Sequence, residues 1–306
     1  MDPENGIDHP VPARVHSTQV KDGAGPEYDL RTTAELVDLI NRQDLAVPSA
    51  VRLAAPSIER AIDAIVERLA QGGRLVYVGA GSSGRLAELD AFECAATFGV
   101  QDGEIVALVA AGLDAEPLEA AAAEDDHEAG AADVLSLTLS EADVVVGVSA
   151  SGETRYVSGA LSAASRAGAL TIALVCTTGS EHAALADQAI EVSVGPELIS
   201  GSTRLKAGTA QKLVLNTIST VAMIRLGRTF GNLMVGVAPA NAKLRDRLRQ
   251  VVAAATGAPD ERVDAALEAS GGDGKVAVVS LLAGVDAETA VARLRDANGN
   301  VRRAAQ

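Results

Sequence analysis

Short apolar runs alternate, through the middle of the chain, with stretches whose apolar positions recur every three or four residues. The runs are Leu75 to Val78, Ile105 to Val109, Val144 to Val148, Leu170 to Val175 and Ile190 to Val194. Each has the length and the β-branched content of a buried strand. The stretches between them, such as Thr154 to Ala167 before Gly168, have helical spacing. Alternation of this kind predicts an α/β fold, a doubly wound parallel sheet of about five strands with helices on both faces. Ligand sites in such sheets gather outside the carboxyl ends of the strands.

The flanks read as helix. Residues 1 to about 29 are rich in Pro, Gly, Asp and His without periodicity, which predicts an arm. Thr32 or Thr33 then caps AELVDLINRQ, with Leu36, Leu39 and Ile40 on one face. A longer helical region starts at Pro48-Ser49 and carries Ile58, Ala61, Ile62, Ile65, Val66 and Leu69 at helical spacing up to Gly72-Gly73. A long helix is expected from about Ser202 through Leu226, and small helices follow Pro239, with Asp260 and Asp286 as caps for two of them. The chain thus divides into an arm and helix (1–50), a sheet domain (51–235) and a C-terminal helical appendage (236–306).

Composition narrows the function classes. Aromatics make up only 2% of the 306 residues and there is no Trp, so Ala, Val, Leu and Ile must build the core. No apolar run reaches the ~18 residues of a membrane span, and the polar, acidic opening fits no signal or transit peptide. Cytoplasmic localisation is expected. A net charge of -15 disfavours nucleic acid and anionic membrane as partners. Cys94 and Cys176 are expected to be buried thiols, and the four histidines have no metal-ligand spacing, so no metal is expected.

Two loops carry the candidate chemistry. After the first strand comes Gly79-Ala80-Gly81-Ser82-Ser83-Gly84, which satisfies the dinucleotide pattern GxGxxG. That pattern wants an acidic residue closing the second strand, and here the second strand ends Val109-Ala110-Ala111-Gly112. Serines in the variable positions suit a single phosphate instead. After the third strand, Ser149-Ala150-Ser151-Gly152-Glu153-Thr154 again sets hydroxyls at a strand-to-helix turn, and the two loops could share one phosphate. Taken alone, each loop could equally be a structural turn or a helix cap.

Four ordered segments carry a family resemblance: Val78 to Gly99, Ala120 to Gly130, Ser149 to Leu161, and Gly195 to Thr220 with Gly231 to Val235. Over roughly residues 30 to 300 the chain resembles the N-acetylmuramic acid 6-phosphate etherases, which are built on the sugar isomerase (SIS) domain and related to the glucokinase regulatory protein. The resemblance implies cleavage of a lactyl ether without any cofactor, by elimination and then addition of water. It implies Glu93 as the acid that assists departure and later activates water, and Glu124 as the base. Ser82, Ser83, Ser149, Ser151 and Thr154 would hold the 6-phosphate, and Arg204 and Lys206 are possible further contacts. Arg204 and Lys206 could equally form an exposed helix face or pair with Glu197.

A homodimer is implied as well. A noncatalytic phosphosugar sensor and a sugar-phosphate isomerase are the alternatives on the same domain. One distance constrains the site in advance. If the helix that starts at Ser83 runs unbroken to Glu93, its rise puts that carboxyl ~15 Å from the glycine loop. Either that helix ends early, the chain folds back, or a second subunit completes the site.

Overall fold

The computed structural model describes residues 28–237, 239 and 241–306. The arm expected over residues 1 to 29 lies outside the described residues except for its end, which joins the 3-10 turn Tyr28–Leu30. Thr32 caps α1 (Thr33–Asp44) through a capping box: its Oγ1 accepts from Glu35 N–H, and Glu35 Oε2 accepts from Thr32 N–H at 2.8 Å. Yet no residue of α1 is buried, and Val37 and Ile40 remain 54% and 39% exposed. On the predicted apolar face Leu36 and Leu39 are half-buried and Ile40 is exposed, so the face is present and only partly covered within one chain. Next come α2 (Ala46–Leu53) and α3 (Ala55–Ala70), whose buried Ile58, Ala61, Ile62, Ile65 and Leu69 follow the predicted spacing.

The sheet then alternates strand and helix. In chain order its elements are β1 (Leu75–Gly79), α4 (Gly81–Phe98), β2 (Ile105–Val109), α5 (Pro117–Ala123), α6 (His127–Ser136) and β3 (Val144–Ser149). They continue with α7 (Arg155–Arg166), β4 (Leu170–Val175), α8 (Glu181–Leu185) and β5 (Gln188–Glu191). All five strands are parallel, in the order β2-β1-β3-β4-β5. Period-two alternation sends Leu75, Tyr77, Val144 and Val146 to one face, with α3 and the later helix α9 (Lys206–Arg225). Val76, Val78 and Val145 point to the other, against Val134 of α6 and Tyr156 and Leu161 of α7. The sheet is doubly wound, as the alternation of runs predicts.

At β1 the winding reverses. The chain leaves β1 toward β2, then crosses back to place β3 on the opposite side of β1. The crevice beyond the ends of β1 and β3 is thus the topological switch point, the place where such sheets bind ligands.

Among the boundaries that differ from the sequence expectation, three are instructive. The last strand was expected over Ile190 to Val194, but pairing stops at Glu191 because its partner β4 stops at Val175. Val192 and Val194 still point into the core, so the apolar pattern tracks burial beyond the end of the ladder. The long helix starts at Lys206 rather than near Ser202. Leu205 is not helical, and the buried Glu197 carboxylate accepts from the N–H groups of Lys206 and Ala207 at 3.0 and 2.9 Å, which fixes the start there. In the appendage Pro259 takes the cap position before α11, and the predicted cap Asp260 instead pairs with Arg249 at 3.0 Å.

That appendage consists of α10 (Ala242–Thr256), α11 (Asp260–Ala269), α12 (Gly274–Ala283), α13 (Ala287–Asp296) and α14 (Val301–Ala304). Asp286 does cap α13, accepting from Thr289 N–H at 2.8 Å. These helices bury an apolar cluster of their own, including Leu248, Val252, Val263, Val276 and Val301, together with Val235 and Val237.

Candidate functional site

Both hydroxyl-bearing loops end at the switch point. Gly81, at φ +51°, turns the chain from β1 into α4. Neither α4 nor α7 has its first turn capped by a side chain. Two helix starts, each with backbone N–H groups and the positive end of a helix dipole, therefore meet at one place. In the second loop the hydroxyls bond to one another: Ser149 Oγ lies 2.9 Å from Thr154 Oγ1 and 3.4 Å from Ser151 Oγ. Gly152 N–H donates to Ser149 Oγ at 3.1 Å, which closes the turn. Beneath it, buried His182 sets Nε2 3.1 Å from the Thr154 carbonyl and 3.0 Å from Ser158 Oγ, and burial holds its pKa below the usual value.

A pocket of about 270 Å³ opens between the loops. Its lining brings together Ser82, Ser83, Glu124, Ser149, Ser151 and Thr154, and adds Thr203. Glu124 arrives from the β2–β3 crossover, just after α5. Gly130 of α6 and Gly159 of α7 let those helices approach backbone to backbone; a Cβ on Gly130 would lie 1.9 Å from the Tyr156 carbonyl oxygen. Tyr156 N–H also donates to the Glu124 carbonyl at 3.0 Å. These contacts bind the segment before α6 to the start of α7 and so aim Glu124 across the pocket at Gly81. Burial, and secondly the neighbouring Asp125 charge, raise the Glu124 pKa above the usual carboxylate value.

Glu93 lies elsewhere. Helix α4 is unbroken from Gly81 to Phe98, with alanines rather than a helix breaker at 95 and 96. Of the options left open by the helix rise, an early helix end is ruled out, and on one chain Glu93 lines a separate cleft of about 390 Å³ between α4 and α9. There, one turn earlier, buried Asp90 accepts from Tyr77 Oη at 3.0 Å, Asn216 Nδ2 at 2.7 Å and Ser219 Oγ at 3.0 Å. The network pins α4 to α9 and fixes the azimuth of Glu93. Glu93 itself is exposed, beside Leu89 and Phe92, which are 47% and 70% exposed.

Arg204 and Lys206 do not line the phosphate-loop pocket of one chain. Arg204 is exposed, and Lys206 is buried at the start of α9, where Glu197 holds its backbone N–H rather than its ammonium. Two residues that sequence reasoning did not single out belong to the site. Thr203 adds a hydroxyl to the lining, and Gln211 of α9 accepts a hydrogen bond from Ser83 at 3.0 Å. Both stand in the Gly195 to Lys212 block, whose motif was the only available signal. Cys94 and Cys176 are buried free thiols, and burial pushes each pKa up to about 12.

A parallel sheet with hydroxyl-lined loops at its switch point is the architecture of a SIS domain. A family model described as the SIS domain matches residues 121–220, and one described as the glucokinase regulatory protein N-terminal SIS domain matches residues 57–165. The chain is 54% identical over 280 residues to the N-acetylmuramic acid 6-phosphate etherase of Rubrobacter xylanophilus, covering 91% of this chain and 92% of that protein. It is 52% identical to the etherase of Streptomyces avermitilis, with 91% and 89% covered. It is 46% identical to N-acetylmuramic acid 6-phosphate etherase 2 of Vibrio cholerae, with 93% and 94% covered. The chain belongs to the N-acetylmuramic acid 6-phosphate etherase family.

Proposed function

We propose that this chain cleaves the D-lactyl ether of N-acetylmuramic acid 6-phosphate, giving N-acetylglucosamine 6-phosphate and D-lactate in amino sugar recycling. The observation that carries this reading is the Glu124 carboxylate facing a pocket lined by hydroxyls and by two helix starts. The 6-phosphate sits on the N–H groups and hydroxyls of Ser82, Ser83, Ser149, Ser151 and Thr154. In the open-chain sugar the aldehyde acidifies the proton on carbon 2. Glu124, its pKa raised toward the working range, removes that proton.

The released electron pair forms a carbon 2–carbon 3 double bond and expels the lactyl oxygen, which takes a proton from Glu93. The resulting Glu93 carboxylate then draws a proton from water as it adds to carbon 3, and Glu124 returns its proton to carbon 2.

Because α4 is unbroken, the Glu93 that meets a given Glu124 belongs to a second copy of the chain. Three features support a homodimer: Leu89 and Phe92 are exposed beside Glu93, and α1 has a partly uncovered apolar side, with Val37 and Ile40 exposed. Residues 51–235 form the substrate-binding unit and 236–306 an accessory helical unit. Among the described residues no helix is long and apolar enough to cross a membrane. A charged phosphosugar substrate, which does not cross a membrane unaided, supports a cytoplasmic activity.

The test is to incubate purified protein with N-acetylmuramic acid 6-phosphate and measure D-lactate. Release is expected, and Glu93→Ala and Glu124→Ala should each slow it at least ~100-fold. Tight binding without lactate would make the protein a phosphosugar sensor. A keto-sugar product would make it an isomerase.

A further inference from the structure

Gln211 is 1% exposed and reaches from α9 to the glycine loop. Its Oε1 accepts a hydrogen bond from the Ser83 hydroxyl at 3.0 Å, whereas Nε2 has no hydrogen-bond partner among the described residues. In that arrangement the only proton on Ser83 Oγ points away from the pocket. The lone pairs left facing inward would repel a phosphate dianion.

The two ends of a primary amide have nearly the same shape, so a half-turn about the last side-chain bond exchanges them without moving any neighbour. After the exchange Nε2–H donates to Ser83 Oγ, and the Ser83 O–H turns toward the pocket. The cost also falls, because an under-satisfied carbonyl is tolerated inside a protein better than an orphaned N–H.

We propose that Gln211 is a positioning residue for the phosphate half of the pocket: its amide donates to Ser83 Oγ and thereby frees the Ser83 O–H to donate to the substrate phosphate. This rests on reading the pocket as the 6-phosphate site. Gln211 touches no reacting atom and acts only through Ser83.

D-lactate release by wild type, Ser83→Ala, Gln211→Met, Gln211→Glu and the double variant Ser83→Ala/Gln211→Met tests it, with inorganic phosphate as a competitive inhibitor. A carboxylate at 211 can only accept from Ser83 and adds negative charge, so Gln211→Glu should raise KM and the phosphate inhibition constant about ten- to a hundredfold. Gln211→Met should raise both about three- to tenfold, with kcat changed much less than KM. On the Ser83→Ala background Gln211→Met should add nothing further, since its effect passes through that hydroxyl.

A thermal melt of each variant confirms folding, and if Gln211→Glu does not fold, Gln211→Met and the double variant decide alone. If Ser83→Ala raises KM while the folded Gln211 variants match wild type, or if the effects simply add, the role given to Gln211 is wrong and the site stands. If Ser83→Ala leaves KM and phosphate inhibition untouched, the phosphate site itself is wrong and this inference goes with it.

Discussion

Glu124 Oε1 lies 2.7 Å from the position that a Cβ on Gly81 would occupy. Gly81 also has φ +51°, where an L side chain is strained by about 1 kcal/mol. Gly81→Ala should therefore lose a little stability and much activity, because the carboxylate must move away from the glycine loop. Gly72 supplies the control: its φ is +87° and nothing lies within 4 Å of a Cβ there. Gly72→Ala should show a comparable drop in melting temperature with lactate release intact. Gly81→Ala should cut kcat/KM on the order of 100-fold, the usual scale for a displaced catalytic group.

The raised pKa of Glu124, caused first by burial and then by Asp125, gives the acid side of the pH profile its sign. A base must be ionised, so kcat/KM should rise with pH through a value above the ordinary ~4.3 of glutamate. Stability runs the opposite way. A folded-state pKa raised above the unfolded value makes a contribution that is full below the unfolded pKa and is lost as pH rises through the folded one. Glu124→Gln, which stays neutral, should gain stability relative to wild type as pH climbs from 4 to 7 while releasing almost no lactate. Urea melts at several pH values check this, and a constant difference across the range would contradict it.

The sheet was legible because its inner strands are buried on both faces and leave continuous apolar runs, as at Leu75–Gly79 and Leu170–Val175. The same signal overran at β5, where Val192 and Val194 are buried beyond the last paired residue, Glu191, and Val192 N–H makes a closing bond to the Val175 carbonyl at 2.8 Å. Hydroxyls at strand ends located Ser149, Ser151 and Thr154, because the loop that follows a parallel strand must open at the carboxyl edge. Glu124 needed the family resemblance, since its place depends on the α6–α7 approach rather than on any local pattern. Gln211 had no signal beyond its place in the Gly195 to Lys212 block: it meets Ser83 from 128 positions away in sequence, and no periodicity encodes that contact. Helix rise did encode that Glu93 and the glycine loop cannot meet along one continuous α4.

Arg74 and Asp143 fasten β1 to β3 at the end of the sheet opposite the pocket. Asp143 is 2% exposed and accepts from Arg74 N, Nε and Nη2 and from Ser140 N and Oγ, at 2.7 to 3.1 Å. Burial alone would raise its pKa, but the hydrogen bonds from Arg74 and Ser140 outweigh it and hold the carboxyl at about 2. A depressed pKa stabilises the fold above the unfolded value near ~3.9 and stops doing so as pH falls through the folded one. Arg74→Met should cost about 3 kcal/mol at neutral pH, since it removes the countercharge and two of the hydrogen bonds of a buried carboxylate. That deficit should shrink below pH 4 in acid-dependent urea melts, with the pocket chemistry unaffected at neutral pH.

The separation of Glu93 from Glu124 along an unbroken α4 leads to a complementation experiment. In a two-fold dimer each site would take Glu124 from one copy and Glu93 from the other. Glu93→Ala and Glu124→Ala homodimers are then both inactive. A mixed dimer holds one site with both carboxyls and one with neither. Random re-association of equal amounts makes half of the dimers mixed, each with one working site, so activity should return to about a quarter of wild type. Lactate release should appear only after subunit exchange, for example on mild denaturation and refolding together, and not when the variants are refolded apart. A mixture that stays inactive after proven exchange would put both carboxyls on one chain, which the continuous helix forbids unless α4 breaks when substrate binds.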